Sequence, residues 1–326
     1  MPRISGKDVT QEARSDIFEQ MRREREEGLK HIDGEIEKND ELEKYIVLAA
    51  GYLNDELVAL GLPATQMDSR RVHAFLGEEY ERRVRNKDTN GLYRSKEDAL
   101  YVHSGRGRMQ LYKTILHEMV HRAAFKARHA DVSERTVGDV RGGYFTRHPN
   151  EDKHMHFRGL DEAVVDRIVM DIAQKHFDEL IQQLHITEEE SREPVNFYHD
   201  YMDVLAIIVQ KVAENKKEDP RETWQRFKRG EFSGEMMHLR DVEDAFGKGS
   251  LRVLAALGSG TRRPDSSEDA KLVYDYFAAD DPKERDQIAR AVLNERERLR
   301  YAQRTKVAPE KQSSFFGKVL KNIAGL

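Results

Sequence analysis

Cysteine is absent from this chain of 326 residues. That excludes disulfides and thiolate ligands, so any metal site must be built from histidine and carboxylate. No apolar run approaches the ~20 residues of a membrane span, and Met1-Pro2-Arg3-Ile4-Ser5-Gly6 lacks the apolar core of a secretory signal. The cytoplasm is therefore the expected compartment. Positive charge is not in excess either. The 55 Lys and Arg stand against 60 Asp and Glu, a formal charge of -5, which argues against nucleic acid as the main partner. No internal repeat is present.

What is present is a highly charged but foldable balance, with 35% charged and 38% apolar residues. The length suits one large domain or two smaller ones with a sizeable core. Residues 1–38 are dense in Arg, Glu and Lys around Ile17, Phe18 and Met21, and read as a solvated helix or flexible arm. Residues 39–258 read as the main domain. Its first core helix carries Leu42, Tyr45, Ile46, Ala49, Leu53, Leu57 and Leu60 at helical spacing and stops at Gly61-Leu62-Pro63. A second helix is expected from Asp68, as its cap, through Val72, Phe75, Leu76 and Tyr80. After the turn cluster Asn86 to Gly91, Leu92-Tyr93 and Ala99 to Val102 predict two short antiparallel strands. The second leads into a helix, and its exposed edge would hold an extended peptide.

That helix, Leu111 to Phe125, contains His117-Glu118-Met119-Val120-His121, an HExxH motif. Residues four apart stack on one helical face, so two imidazoles can face one ion while Glu118 projects beside them toward a water. Ile115, Leu116, Met119 and Val120 mark the helix as buried, where unpaired polar groups cost several kcal/mol. The alternative is a helix with two hydrogen-bonded core histidines. Catalytic zinc normally takes three protein ligands and a water, so a third ligand is required elsewhere.

Val140 to Phe145 and His154 to Phe157 flank the polar turn Pro149 to Asp152 and predict another hairpin or ordered loop. Beyond it, Leu160, Ala163, Val164 and Ile168 form an apolar helical face, with Glu162 and Asp166 four apart on one side. Glu162 lies 41 residues beyond His121 and supplies the missing ligand if the hairpin folds this helix back antiparallel. Asp166, one turn on, is placed to accept the second ring N–H of a ligating His. The alternative is an exposed face with ordinary charges.

On His117 to His121 together with Gly159-Leu160-Asp161-Glu162-Ala163-Val164-Val165-Asp166, the chain resembles the gluzincin metallopeptidases, of which thermolysin is the familiar member, and among them the minigluzincins. The likeness spans about residues 65 to 260. It implies a predominantly helical α+β fold with a zincin-like core, in which a small antiparallel sheet or hairpins precede the HExxH helix. It also implies one Zn2+ per chain on His117, His121 and Glu162, Glu118 as general base, Asp166 behind a ligand His, and a peptide or protein substrate. Arg122 departs from the pattern, since the family usually has an uncharged residue there. Zinc peptidases add a Tyr or His donor for the oxyanion. Tyr198, His199 and Tyr201, at the start of an apolar helix, are the candidates, against the alternative that they cap or pack.

Trp224 and Phe227 suggest a short helix, Arg229 to Gly234 a loop, and Val242 to Leu257 an apolar helix interrupted at Gly247-Lys248-Gly249. Residues 259–268 read as a linker and 269–326 as a helical extension. Its basic amphipathic tail, Phe315 to Ile323, suits docking on its own domain or on a second copy better than a membrane surface. Two other functions compete. A di-iron carboxylate oxidoreductase would pair Glu118-x-x-His121 with Glu235-x-x-His238. A non-catalytic zinc-stabilised scaffold would close the fourth position with His154 or His156.

Overall fold

The computed structural model describes residues 3–5, 9–84, 89–133, 136–147, 155–187, 190, 199–258 and 267–294. The fold is α+β and mostly helical, with two small sheets. No described helix is long and apolar enough to cross a membrane.

Strand β1 (Arg3–Ser5) precedes helix α1 (Gln11–Glu27), which Thr10 caps by accepting from Ala13 N. Only Ile17 of α1 is buried, as its charge density leads one to expect. Helix α2 (Asp40–Ala59) is capped by Asn39 and buries Leu42, Tyr45, Ile46, Ala49, Leu53 and Leu57. The helix expected from Asp68 is not there. Asp68 caps only a single tight turn, Ser69–Arg71, and strand β2 (Val72–Phe75) follows with all four residues buried. The reason is period two: Val72 and Ala74 enter the main core, while Phe75 packs with Tyr80 and Tyr101 on the other side. Helix α3 (Gly77–Val84) starts only after that strand.

Strands β3 (Gly91–Arg94) and β4 (Ala99–His103) pair antiparallel, as the sequence predicts. Because β2 joins β4 on its far side, the order is β2-β4-β3 and β4 is central. The edge strands are therefore β2 and β3, and β3 is the edge that packs against the motif helix. Helix α4 (Arg108–Ala123) carries the HExxH motif, with Ile115, Leu116 and Val120 at zero exposure. Each such side chain stabilises by roughly 1.5–3 kcal/mol relative to an exposed one. Lys126 closes the C-terminus of α4 by donating to the carbonyls of His121 and Arg122 at 2.8 and 2.6 Å.

The second sheet contains β5 (Lys126–Asp131), β6 (Thr136–Gly142), β7 (Phe145–Arg147) and β8 (Met155–His156) in the order β1-β5-β6-β7-β8. The pairing expected across residues 149–152 is that of β7 with β8, antiparallel, whereas the tight β6–β7 turn at Gly143, φ +52, falls inside what the sequence suggests as a single arm. The turn Pro149 to Asp152 and His154 lie outside the described residues. Helix α5 (Arg158–Lys175) then returns across α4. Behind it stand α6 (Phe177–Leu184), α7 (His199–Lys216) and α8 (Pro220–Ser233). Residues 229–233 belong to α8 rather than to a loop, because Thr223, Trp224, Phe227, Lys228 and Glu231 form one buried face. Helices α9 (Arg240–Phe246) and α10 (Ser250–Leu254) break at Gly247 to Gly249 as expected. Helix α11 (Ser267–Ala278) packs on α7, and residues 282–294 form a last helix whose Val292 joins the same core. Residues 259–266 and the tail Phe315 to Ile323 lie outside the described residues.

Candidate metal centre

Four-residue spacing on α4 places the rings of His117 and His121 with centroids 4.7 Å apart. Helix α5 brings Glu162 against both. Three ligand atoms converge: His117 Nε2 and His121 Nε2 are 3.1 Å apart, and Glu162 Oε2 lies 3.5 Å from the first and 3.3 Å from the second. Ligands about 2.0–2.1 Å from a tetrahedral ion are about 3.3–3.4 Å from one another. The triangle has those dimensions.

The ionisation of these buried groups is mutually dependent. Asp166 Oδ1 lies 2.7 Å from His117 Nδ1 and orients the ring so that Nε2 faces inward. Burial pulls the His117 imidazole down, but Asp166 and Glu162 outweigh it and hold it well above the ordinary value. Burial likewise acts against His121, and Glu162 reverses it. Burial opposes the ionisation of Glu162, yet the two imidazoles keep its carboxyl well below the usual carboxylate range. In each case the buried group is drawn toward the charge that best serves its neighbours.

Glu118 sits beside this triangle, buried, with its carboxyl raised by burial against the pull of His117 and His121. Its room comes from Gly91 on β3: a Cβ there would stand 2.6 Å from Glu118 Oε1 and 2.8 Å from Thr114 Cγ2. The backbone N–H of Tyr93 also reaches Glu118. Since His103 N donates to Asn90 O, the ladder alternation turns the backbone groups of Gly91 and Tyr93 away from β4 and toward the cleft. A cleft of about 420 Å3 runs between this edge and the wall made by Phe145, Met155 and Arg158.

Sequence reasoning missed several groups here. Arg158 lines the cleft, with Nε 3.8 Å from Glu162 Oε1, one helical turn before the ligand. Asp161 Oδ2 is 3.7 Å from His121 Nδ1, while its Oδ1 accepts from Tyr144 N and Phe145 N at 2.7 and 3.1 Å. Burial pushes the Asp161 carboxyl up to about 6, with His121 pulling against it. Fully buried Glu231 lies against it, raised well above its ordinary value first by burial and then by the Asp161 charge. His121, Asp161 and Glu231 thus form a second group with metal-ligand spacing. The adjacency of Asp161 to Glu162 was a readable signal. Glu231 was legible only as position i+7 of the Trp224 face, which Gly230 and Gly234 disguised.

Other described candidates are not brought to the site. His199, the first residue of α7, is exposed and does not line the cleft. Tyr201 is a core residue, buried in the main cluster. Tyr198 lies outside the described residues. Arg122 points away from the ligands, with Nε 3.1 Å from Asp98 Oδ1 and a bond to Gln66 O at 2.9 Å, so its charge is accommodated on the far side of α4. Glu235 is exposed, and His238 Nε2 lies 2.6 Å from Tyr144 Oη, so the second ExxH does not face the first. His156, in β8, is in neither group of side chains with metal-ligand spacing. Compared with protein-family models, curated proteins and solved structures, the chain finds no match in any of the three.

Proposed function

We propose that this chain is a zinc-dependent peptidase of the gluzincin type, with a zincin-like core formed by β2 to β4, α4 and α5. The observation that carries the reading is the triangle of His117 Nε2, His121 Nε2 and Glu162 Oε2, with edges of 3.1, 3.3 and 3.5 Å, beside the buried Glu118. Three electron-pair donors converging in a buried place repel one another unless a cation or shared protons lie between them. The donor set, two imidazoles and one carboxylate, is that of open catalytic zinc sites. Bound there, zinc would lower the pKa of a water toward 7 and polarise a carbonyl.

The chain's own residues do the rest. Asp166 fixes the tautomer and ring plane of His117. The outward backbone groups of Gly91 and the carbonyl of Tyr93 offer a strand edge on which a peptide can lie extended. Glu118, with its carboxyl raised by burial, accepts a proton from the attacking water and returns it to the leaving amine. Arg158 is the cleft-wall cation beside Glu162 and takes the place of the exposed His199 as donor to the developing oxyanion, a role for which Tyr198 also stands as a candidate.

Glu118→Gln tests the reading. It should keep zinc at one equivalent and lower kcat on a fluorogenic peptide by at least about 10^3-fold. Undiminished cleavage by that variant would exclude Glu118 as the base.

A further inference from the structure

Next to the cleft lies a second cavity of about 480 Å3, and Tyr93, Ala124 and Lys126 line both. Four cationic side chains, Arg25, Arg122, Lys126 and Arg128, line it with one carboxylate, Asp98. Asp98 is already engaged by Arg122 at 3.1 Å and by Tyr93 Oη at 3.0 Å. Arg128 pairs at 2.9 Å with Asp139, which lines the catalytic cleft. Lys126 Nζ donates to three backbone carbonyls, at 2.8, 2.6 and 3.3 Å, and lies 4.6 Å from the Tyr93 ring, while Arg25, exposed on α1, lines the basin. In a chain whose formal charge is -5, this basin is a local excess of positive charge with fixed geometry.

Its position relative to β3 identifies the occupant. Gly91 abuts Glu118, and Tyr93, two residues further along the same edge, borders the basin. Two residues of strand span about 6.6 Å, and side chains two apart point to the same face. We propose that the basin is a specificity subsite for an acidic side chain of the peptide substrate, at one fixed position about two residues from the cleaved bond. The proposal rests on the peptidase reading above. Under it, a Glu or Asp on an extended peptide reaches Arg25, in the field of Arg122 and Arg128, while the scissile carbonyl lies beside Glu118.

The test uses the zinc-loaded full chain and a set of quenched fluorescent peptides in which one residue is Glu, Ala or Lys, moved stepwise across the sequence. Glu should raise kcat/KM about tenfold over Ala at a single position relative to the cleaved bond. Arg25→Glu, an exposed position whose fold is checked by its melting temperature and zinc content, should invert the order so that Lys exceeds Glu. Equal rates for Glu, Ala and Lys at every position would overturn the subsite and leave the peptidase reading standing. If no peptide is cleaved, binding of labelled Glu and Lys peptides to the same protein is read by anisotropy. Tighter, salt-sensitive binding of the Glu peptide that Arg25→Glu abolishes supports the subsite while the peptidase reading falls, and equal binding overturns it. Arg25-dependent binding of inorganic phosphate without discrimination among peptides would also overturn it, assigning the basin to small anions.

Discussion

At the scale of single residues, the site depends on groups that never touch a substrate. Asp166 Oδ1, 2.7 Å from His117 Nδ1, holds that ring with its Nε2 inward. Asp166→Asn keeps the shape but removes the charge, and should weaken zinc binding by about 10- to 100-fold in competition with a chelating dye. An unchanged affinity would mean that the carboxylate only fills space. Gly91 is the complementary case, acting by what it lacks. Its missing Cβ leaves the space in which Glu118 sits, since the added atom would stand 2.6 Å from Oε1 and 2.8 Å from Thr114 Cγ2. Gly91→Ala should therefore lower kcat by about 10- to 100-fold with zinc content unchanged, because a displaced base misses the proton it must take. Metal analysis beside steady-state kinetics checks both halves of that expectation.

Among the elements, the motif helix was readable because its information is local. HExxH needs only the 3.6-residue period to bring two imidazoles together, and the Glu162–Asp166 spacing needs only one turn of a second helix. The strands were harder. Val72 to Phe75 looks helical in a window that extends to Tyr80, and only the parallel pairing with β4 makes it a strand. β5 carries Lys, Arg, His and Asp, so no apolar alternation announces it, and neighbours on both sides hold it in place. Arg158 and Glu231 reach the site through tertiary packing alone. A polar tie also joins two elements distant in sequence: Glu35 Oε2 is 3.0 Å from His73 Nδ1 of β2, and Lys38 Nζ is 2.7 Å from Glu35 Oε1. Burial alone would raise the Glu35 carboxyl, but these bonds outweigh it and lower it from 4.5 to about 2. A folded-state value below the unfolded one stabilises above about pH 4.5, and that stability is lost as pH falls toward 2. Urea titrations across that range should show the loss in the natural chain and a flatter dependence in Glu35→Gln.

Across the whole molecule, one apolar core runs from Leu42 on α2 through Ile115 on α4, Val164 on α5 and Val204 on α7 to Phe277 on α11. The triangle of His117, His121 and Glu162 lies where α4 and α5 cross against that core, so the rigid elements set its dimensions. The most direct measurement is a zinc titration of the full chain, followed by zinc X-ray absorption, alongside the same experiment on Glu162→Ala. The expected result is one zinc per chain with only nitrogen and oxygen neighbours near ~2.0–2.1 Å, and an affinity at least about 100-fold weaker in the variant. Failure to retain zinc, or a spectrum and affinity that Glu162→Ala leaves unchanged, would contradict the three-ligand centre and the hydrolytic function built on it.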